Sequence, residues 1–199
     1  MTRSHVVISG TGRAGTTFLV QLLTNLGLDT GFRADEIELS PLARAGLEFD
    51  IRAPTAPYIV KNPRICDLAD EVLASSVRVV HAIIPVRQFE AAAASRAHVQ
   101  ETTTGSRDGK TVLGGLWATD KADDQLGVLR EKFTRLIEVL VRHDIPITFL
   151  SYPRLVRDPD YLYSKLQFLL GDIDRTTFRT AFDALVRPDW IHQFTPEDR

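Results

Sequence analysis

A three-layer α/β/α fold with a mostly parallel central sheet is what this sequence predicts, and three observations predict it. Short apolar, β-branched runs alternate with segments of helical periodicity, which implies right-handed crossovers and helices on both faces of the sheet. A glycine-rich turn, "SGTGRAGTTF" (residues 9–18), lies between the first such run and the first helical segment. The chain has 199 residues and is 44 % hydrophobic. That length buries about 70 % of the unfolded surface, so a single domain over residues 1–199 is expected.

The elements follow in order. "HVVISG" (residues 5–10) is the first strand, a short apolar run that ends in glycine. Phe18, Leu19, Leu22, Leu23 and Leu26 then recur at helical spacing, and Gly27 closes that helix. "APYIVKN" (56–62) is the second strand, entered from a Pro-containing polar stretch. The third, "VRVVHAIIPVR" (77–87), is the longest β-branched run, and "IPITFLSY" (145–152) is the fourth. Between the last two lie an alanine-rich helix over about Phe89–Val99 and an amphipathic one over about Lys121–His143. Leu126, Leu129, Phe133, Leu136, Ile137 and Leu140 line one face of the latter, as ordinary core packing requires. "QETTTGSRDGKTVLGG" (100–115) is rich in Gly, Thr and charge and has no period, so it reads as a mobile loop. Helices over about Asp158–Leu170 and Thr176–Val186 complete the domain.

Composition narrows the partners. The net charge of −2, from 24 Lys+Arg against 26 Asp+Glu, provides no large basic field, so no nucleic-acid partner and no acidic membrane surface is expected. Cys66 is the only cysteine, which excludes an intrachain disulfide. No long apolar span and no signal peptide are evident, so a cytoplasmic protein without a membrane span is expected.

The glycine turn carries the chemistry. Gly10-x-x-x-x-Gly15-Thr16-Thr17 has the outline of a phosphate-binding P-loop, with Thr16 where a nucleotide triphosphatase has its lysine. A strand before it and a helix after it let successive backbone N–H groups, from Gly10, Thr11 and Gly12 through Ala14 to Thr17, converge on an anion. Arg13 can supply the missing cation. A magnesium-dependent P-loop enzyme also needs an Asp at a neighbouring strand end. The predicted strands end instead in Lys61, Arg87 and Ser151-Tyr152. Ligands of parallel sheets bind beyond the carboxyl ends of the strands, so Arg13, Lys61 and Arg87 are expected around one crevice. Three cations without a carboxylate pair point to an anion met by side chains rather than metal, which argues against a kinase.

At these residues the sequence resembles sulfotransferases that use 3'-phosphoadenosine 5'-phosphosulfate (PAPS). "GTGRAGTTFL" looks like their 5'-phosphosulfate loop, and Arg87 and Ser95 in "VRQFEAAAASR" have the Arg-x7-Ser spacing with which that family grips the 3'-phosphate. "FLSYPRLVRDPDYLYSKLQFLLG" resembles the family's strand-then-"YEDL…DP…FLG" segment, with Tyr152 in the place of a tyrosine near the adenine. "VKNPR" is similar to the strand that brings a lysine, here Lys61, to the transferring sulfonyl group. The likeness covers residues 5 to about 171. It implies a P-loop NTPase-like sulfotransferase fold and metal-independent transfer of the sulfonyl group from PAPS, with PAP as product, to a hydroxyl or amine of a small-molecule, lipid or glycan acceptor. Gly10, Thr11, Gly12, Arg13, Ala14, Gly15, Thr16 and Thr17 would hold the 5' end, Arg87 and Ser95 the 3'-phosphate and Tyr152 the base, with Arg13 and Lys61 at the reacting group.

The match thins on the acceptor side. The histidine found two residues beyond the strand lysine in the small-molecule branch is here Pro63. Glu36 is the first expectation for the catalytic base, since in some branches the base follows the first helix; Asp35, Glu38 and His98 are the alternatives. The family's C-terminal "RKG" contact is missing, which leaves Arg187, Arg107 or Lys110 to close over the nucleotide, with residues 100–115 as a lid. A P-loop small-molecule kinase and a non-catalytic nucleotide-binding module are the other readings of the same loop.

Overall fold

The computed structural model describes residues 3–37, 46–104 and 112–188. Glu38, Arg107 and Lys110 lie outside them, as does residues 105–111 of the expected lid.

Four strands, β1 (Arg3–Ile8), β2 (Ile59–Lys61), β3 (Val77–Val86) and β4 (Ile147–Ser151), form one parallel sheet in the order β2-β1-β3-β4. Six α-helices accompany them among the described residues: α1 (Thr16–Asn25), α2 (Ile65–Leu73), α3 (Phe89–Thr104), α4 (Gln125–Arg142), α5 (Pro159–Leu170) and α6 (Arg175–Leu185). Two 3-10 turns, Ala34–Glu36 and Arg154–Val156, complete the assignment.

Strand alternation divides the core between the two faces. Val6 and Ile8 of β1, Ile59 of β2, Ile83 of β3 and Leu150 of β4 pack with Leu19, Leu22 and Leu23 of α1, Leu162 and Leu166 of α5, and Phe178 and Phe182 of α6. Val7, Val60, Ala82 and Ile84, the neighbours one residue along, pack instead with Ile65 and Val72 of α2 and Leu136 and Leu140 of α4. Helices therefore cover both faces, in the three-layer manner expected. Each fully buried Leu or Ile contributes at most about 1.5–3 kcal/mol.

Three expectations need correction. No element was expected between the second and third strands, yet α2 stands there. Its Ile65, Ala69 and Val72 do repeat at helical spacing, but the helix is only nine residues long. Short apolar runs of that length are ambiguous in period. The alanine-rich helix does not stop at Val99 but runs to Thr104, five residues into the stretch read as a loop. The hydroxyls of Thr102 and Thr104 donate to the carbonyls of His98 and Gln100, four residues back, at 2.8 and 2.7 Å. Thr-rich composition signals coil, and these local bonds let a helix end accommodate it. The third correction is the other end of that stretch: Gly115 and Leu116 are buried and held in place, as described below. Smaller differences are the start of α4 at Gln125 rather than Lys121, and a β2 ladder of only three residues.

The strand order reverses between β2 and β3, with β1 in the middle. Ligand crevices of open α/β sheets form at such a switch point. Register brings the ends of β1 and β2 level there, because Ile8 pairs with Lys61; on its other side Ile8 pairs with Ile83, and β3 runs on to Val86.

Candidate functional site

The glycine turn leaves β1 at Ser9, whose N–H donates to Ile83 O at 3.1 Å, and reverses through a run of left-handed residues. Gly15, with φ +84°, is the N-cap of α1. Its backbone conformation favours glycine, and a Cβ there would also press on Leu155 Cδ1 at 2.9 Å and Tyr152 Cδ2 at 3.4 Å, which pack on it from beyond β4. Helices α5 and α6 are capped by the side chains of Asp158 and Asp174, which accept from Tyr161 N and Thr177 N at 2.9 and 2.7 Å. Helix α1 has neither a side-chain cap nor an acidic residue in its first turn. Its leading N–H groups and dipole are thus directed at the turn, the arrangement that suits an anion.

The cations expected around this turn are brought together. Arg13, itself left-handed with φ +54°, donates from Nε to Ser95 Oγ at 3.1 Å. Arg87, one residue past β3, donates from Nη1 to the carbonyl of Arg13 at 3.0 Å. Arg13, Arg87 and Ser95, three residues from three separate segments, therefore form one linked cluster. Tyr152, just beyond β4, joins it: the Arg87 guanidinium lies 5.0 Å from the ring centroid. Arg87 and Ser95 are buried. Burial lowers the Arg87 pKa, and the Tyr152 hydroxyl opposes that shift.

Lys61 reaches the turn from the opposite side. Its ammonium donates to Thr17 Oγ1 at 3.0 Å and to Gly46 O at 2.5 Å, with Glu48 Oε1 at 3.7 Å. Only 5 % of the lysine is exposed. Burial pushes its pKa down to about 8; Glu48 acts upward, while Arg13 and Arg96 act downward. The lysine is thus nearly buried, with a carboxylate beside it and two guanidiniums near enough to act on its charge.

Two members of this constellation carried no sequence expectation. Glu48 precedes the second strand, and its neighbour Phe49 donates its N–H to Lys61 O at 3.0 Å, which brings the carboxylate alongside the lysine. Its side chain is 39 % exposed. Arg96 follows Ser95 on α3 and is 7 % exposed. Its Nε and Nη2 donate to Thr11 O at 3.2 and 2.8 Å, and its Nη1 to Gly115 O at 2.7 Å. Burial lowers its pKa to about 10, helped by Arg13 and opposed by Glu48.

Of the expected bases, Glu36, Asp35 and His98 are described, and all three are exposed. Glu36 and Asp35 lie on the first 3-10 turn, both about two-thirds exposed, and Arg33 bridges to them at 3.1 and 3.2 Å. His98 is exposed on α3. At position 63, where proline replaces the histidine, Asn62 Oδ1 accepts from Arg64 N at 2.9 Å and turns the chain into α2. Arg187 donates to the carbonyls of Ala184 and Val186 at the end of α6.

Among the described residues no group of three or more His, Cys, Asp or Glu side chains is placed to hold a metal ion, and no helix is long and apolar enough to cross a membrane. No family model, no curated protein and no solved structure matches the chain. What the fold and the site define is therefore a class: an α/β domain with a parallel sheet and a cationic cluster at its switch point.

Proposed function

We propose that this domain is a PAPS-dependent sulfotransferase of the P-loop NTPase-like kind, acting on a hydroxyl or amine of a small-molecule, lipid or glycan acceptor. The observation that carries the reading is the linked cluster of Arg13, Ser95 and Arg87, with Lys61 on the loop threonine opposite. A nucleotide charged at both its 5' and 3' positions needs two cationic subsites at a fixed spacing. Arg13, the loop amides, Thr16 and Thr17 make one; Arg87 and Ser95 make the other. The residues fit such a ligand because their donors are partly buried, where a charge-assisted contact is strong.

When bound, PAPS supplies an activated sulfonyl group, whose S–O bond to the 5'-phosphate breaks as an acceptor oxygen or nitrogen bonds to sulfur. Arg13 and the loop amides hold the 5'-phosphate and balance the charge that the departing oxygen gains. Lys61 offers its ammonium to the sulfonyl oxygens. Glu48 takes the acceptor's proton, a role better suited to it than to Glu36, because Glu48 is the carboxylate beside Lys61 whereas Glu36 is paired in solvent with Arg33. Arg87 and Ser95 use binding energy remote from the reaction to position it. Tyr152, beside Arg87, packs against the adenine.

Titration with adenosine 3',5'-bisphosphate in EDTA tests the reading. Tight binding without metal, with sulfonated product from PAPS and a panel of alcohols, amines and glycans, supports it. Binding of ATP only with magnesium points to a P-loop kinase. Tight bisphosphate binding to a chain that forms no sulfonated product on any acceptor favours the non-catalytic module.

A further inference from the structure

Arg96 has no place in the reaction just described, yet it is buried at the site as deeply as Arg87. A buried guanidinium carries a large desolvation cost unless its N–H groups are satisfied. Here three of them meet main-chain carbonyls: two on Thr11 and one on Gly115. Its plane also lies 5.2 Å from the centroid of Trp117, a cation–π contact. None of these partners belongs to α3, the helix that carries Arg96. One side chain thereby binds the anion loop, the 112–117 turn and α3 to one another.

Two glycines lie at the ends of this tie, one crowded by Arg96 and the other by Gln100 and Val112. At Gly12, with φ +69°, a Cβ would stand 2.5 Å from Arg96 Nη2, so a side chain there collides with the guanidinium as well as straining the backbone. At Gly115 a Cβ would stand 2.5 Å from Gln100 Oε1, the oxygen that accepts from Leu116 N at 3.3 Å. Gln100, fully buried on α3, thus holds the same turn one helical step along from Arg96.

We infer that Arg96 is a positioning residue that fixes the spacing between the two anion subsites, by locking α3, which carries Ser95, onto the carbonyl of Thr11 in the loop. Adjacent residues of one helix grip the loop at two points: Ser95 through the Arg13 side chain, Arg96 through the Thr11 backbone. Two phosphates on one ribose are a rigid pair, so the benefit of holding both depends on the distance between their subsites. A ligand with one phosphate feels no such requirement. Arg96 therefore governs selectivity for a doubly charged nucleotide over a singly charged one, and this inference rests on the nucleotide reading above.

Arg96→Lys is the test variant, because it keeps the charge while losing the planar fork that reaches two carbonyls at once. Gly12→Ala presses on the same contact from the loop side and serves if the lysine variant is too unstable to study. The first measurement is amide exchange of the protein without nucleotide. The tie predicts that exchange in residues 9–18 and 112–117 rises together by about tenfold or more, while Val79–Ile84 of β3 stays protected. Loosening of only one segment, or of neither, overturns it. The second is the affinity ratio of adenosine 3',5'-bisphosphate to adenosine 5'-phosphate, which should fall by about tenfold or more in the variant. Equal loss for both nucleotides reduces Arg96 to a stabilising role and overturns the inference. If the wild type itself does not distinguish the two nucleotides, the nucleotide reading fails and takes the selectivity role with it, while joint loosening of the two segments still upholds the mechanical tie.

Discussion

Lys61 gives the most quantitative handle on the site. Its pKa is pushed from 10.5 down to about 8 by burial. The shift corresponds to about 3 kcal/mol of disfavoured charge. A dianionic ligand placed against the ammonium reverses that cost, so binding draws the pKa back toward its ordinary value. The sign follows from linkage. Near pH 9 the free protein holds the Lys61 proton in only about a tenth of molecules and the complex holds it in nearly all, so binding takes up about 0.9 proton. Groups that face Lys61 are Glu48, Arg13 and Arg96. Arg96, lowered to about 10, adds at most about 0.1 proton near pH 9. Calorimetry of PAPS binding near pH 9, without acceptor, in two buffers of different ionisation enthalpy measures the uptake directly. Affinity should also weaken by about sixfold per pH unit between about 8 and 10, and Lys61→Met should abolish both effects. No uptake in the wild type, or equal uptake in Lys61→Met, refutes the reasoning. The same shift bears on folding: below about pH 8 the folded chain carries the cost of the buried charge, and this group's contribution to stability rises as pH goes from about 8 to 10.5.

Three further outcomes follow from the geometry. Glu48→Gln should lower kcat by about 10²-fold or more with bisphosphate affinity unchanged, whereas Glu36→Gln should leave kcat within about twofold; the reverse pattern in steady-state kinetics returns the base to Glu36. Lys61→Ala should reduce turnover with PAPS more than it reduces bisphosphate affinity, as judged by kcat beside calorimetric Kd, since the lysine addresses the reacting group. Phe178→Ala, at a fully buried position of α6 against Tyr163 of α5, should cost about 3–5 kcal/mol in urea unfolding while the nucleotide affinity of the folded fraction persists.

The glycine turn was legible because its signal is local. Glycines at 10, 12 and 15 fall where the backbone turns left-handed, and a strand and a helix flank them as the pattern requires. Arg87 and Ser95 were legible for a related reason: a strand end and the second turn of the following helix have a fixed spacing. Their meeting with Arg13 needed one added rule, that parallel strands present their carboxyl ends to a common crevice. Glu48 escaped because nothing in its own neighbourhood marks it; it reaches Lys61 through a single main-chain bond between segments twelve residues apart, Phe49 N to Lys61 O. Arg96 escaped because it acts on carbonyls, which have no residue identity, and one of them is 85 positions away. Residues 100–104 misled through composition, since threonine reads as coil but its hydroxyl can bond back along a helix.

One measurement bears on the whole account: the affinities of adenosine 3',5'-bisphosphate and adenosine 5'-phosphate for the wild type and for Arg87→Ala, all in EDTA. Two cationic subsites joined through Arg13 and working without a divalent cation predict that the wild type prefers the bisphosphate, and that Arg87→Ala loses most of that preference while binding the monophosphate nearly as before. Equal weakening of both nucleotides, or a wild type that holds neither until magnesium is added, would contradict it.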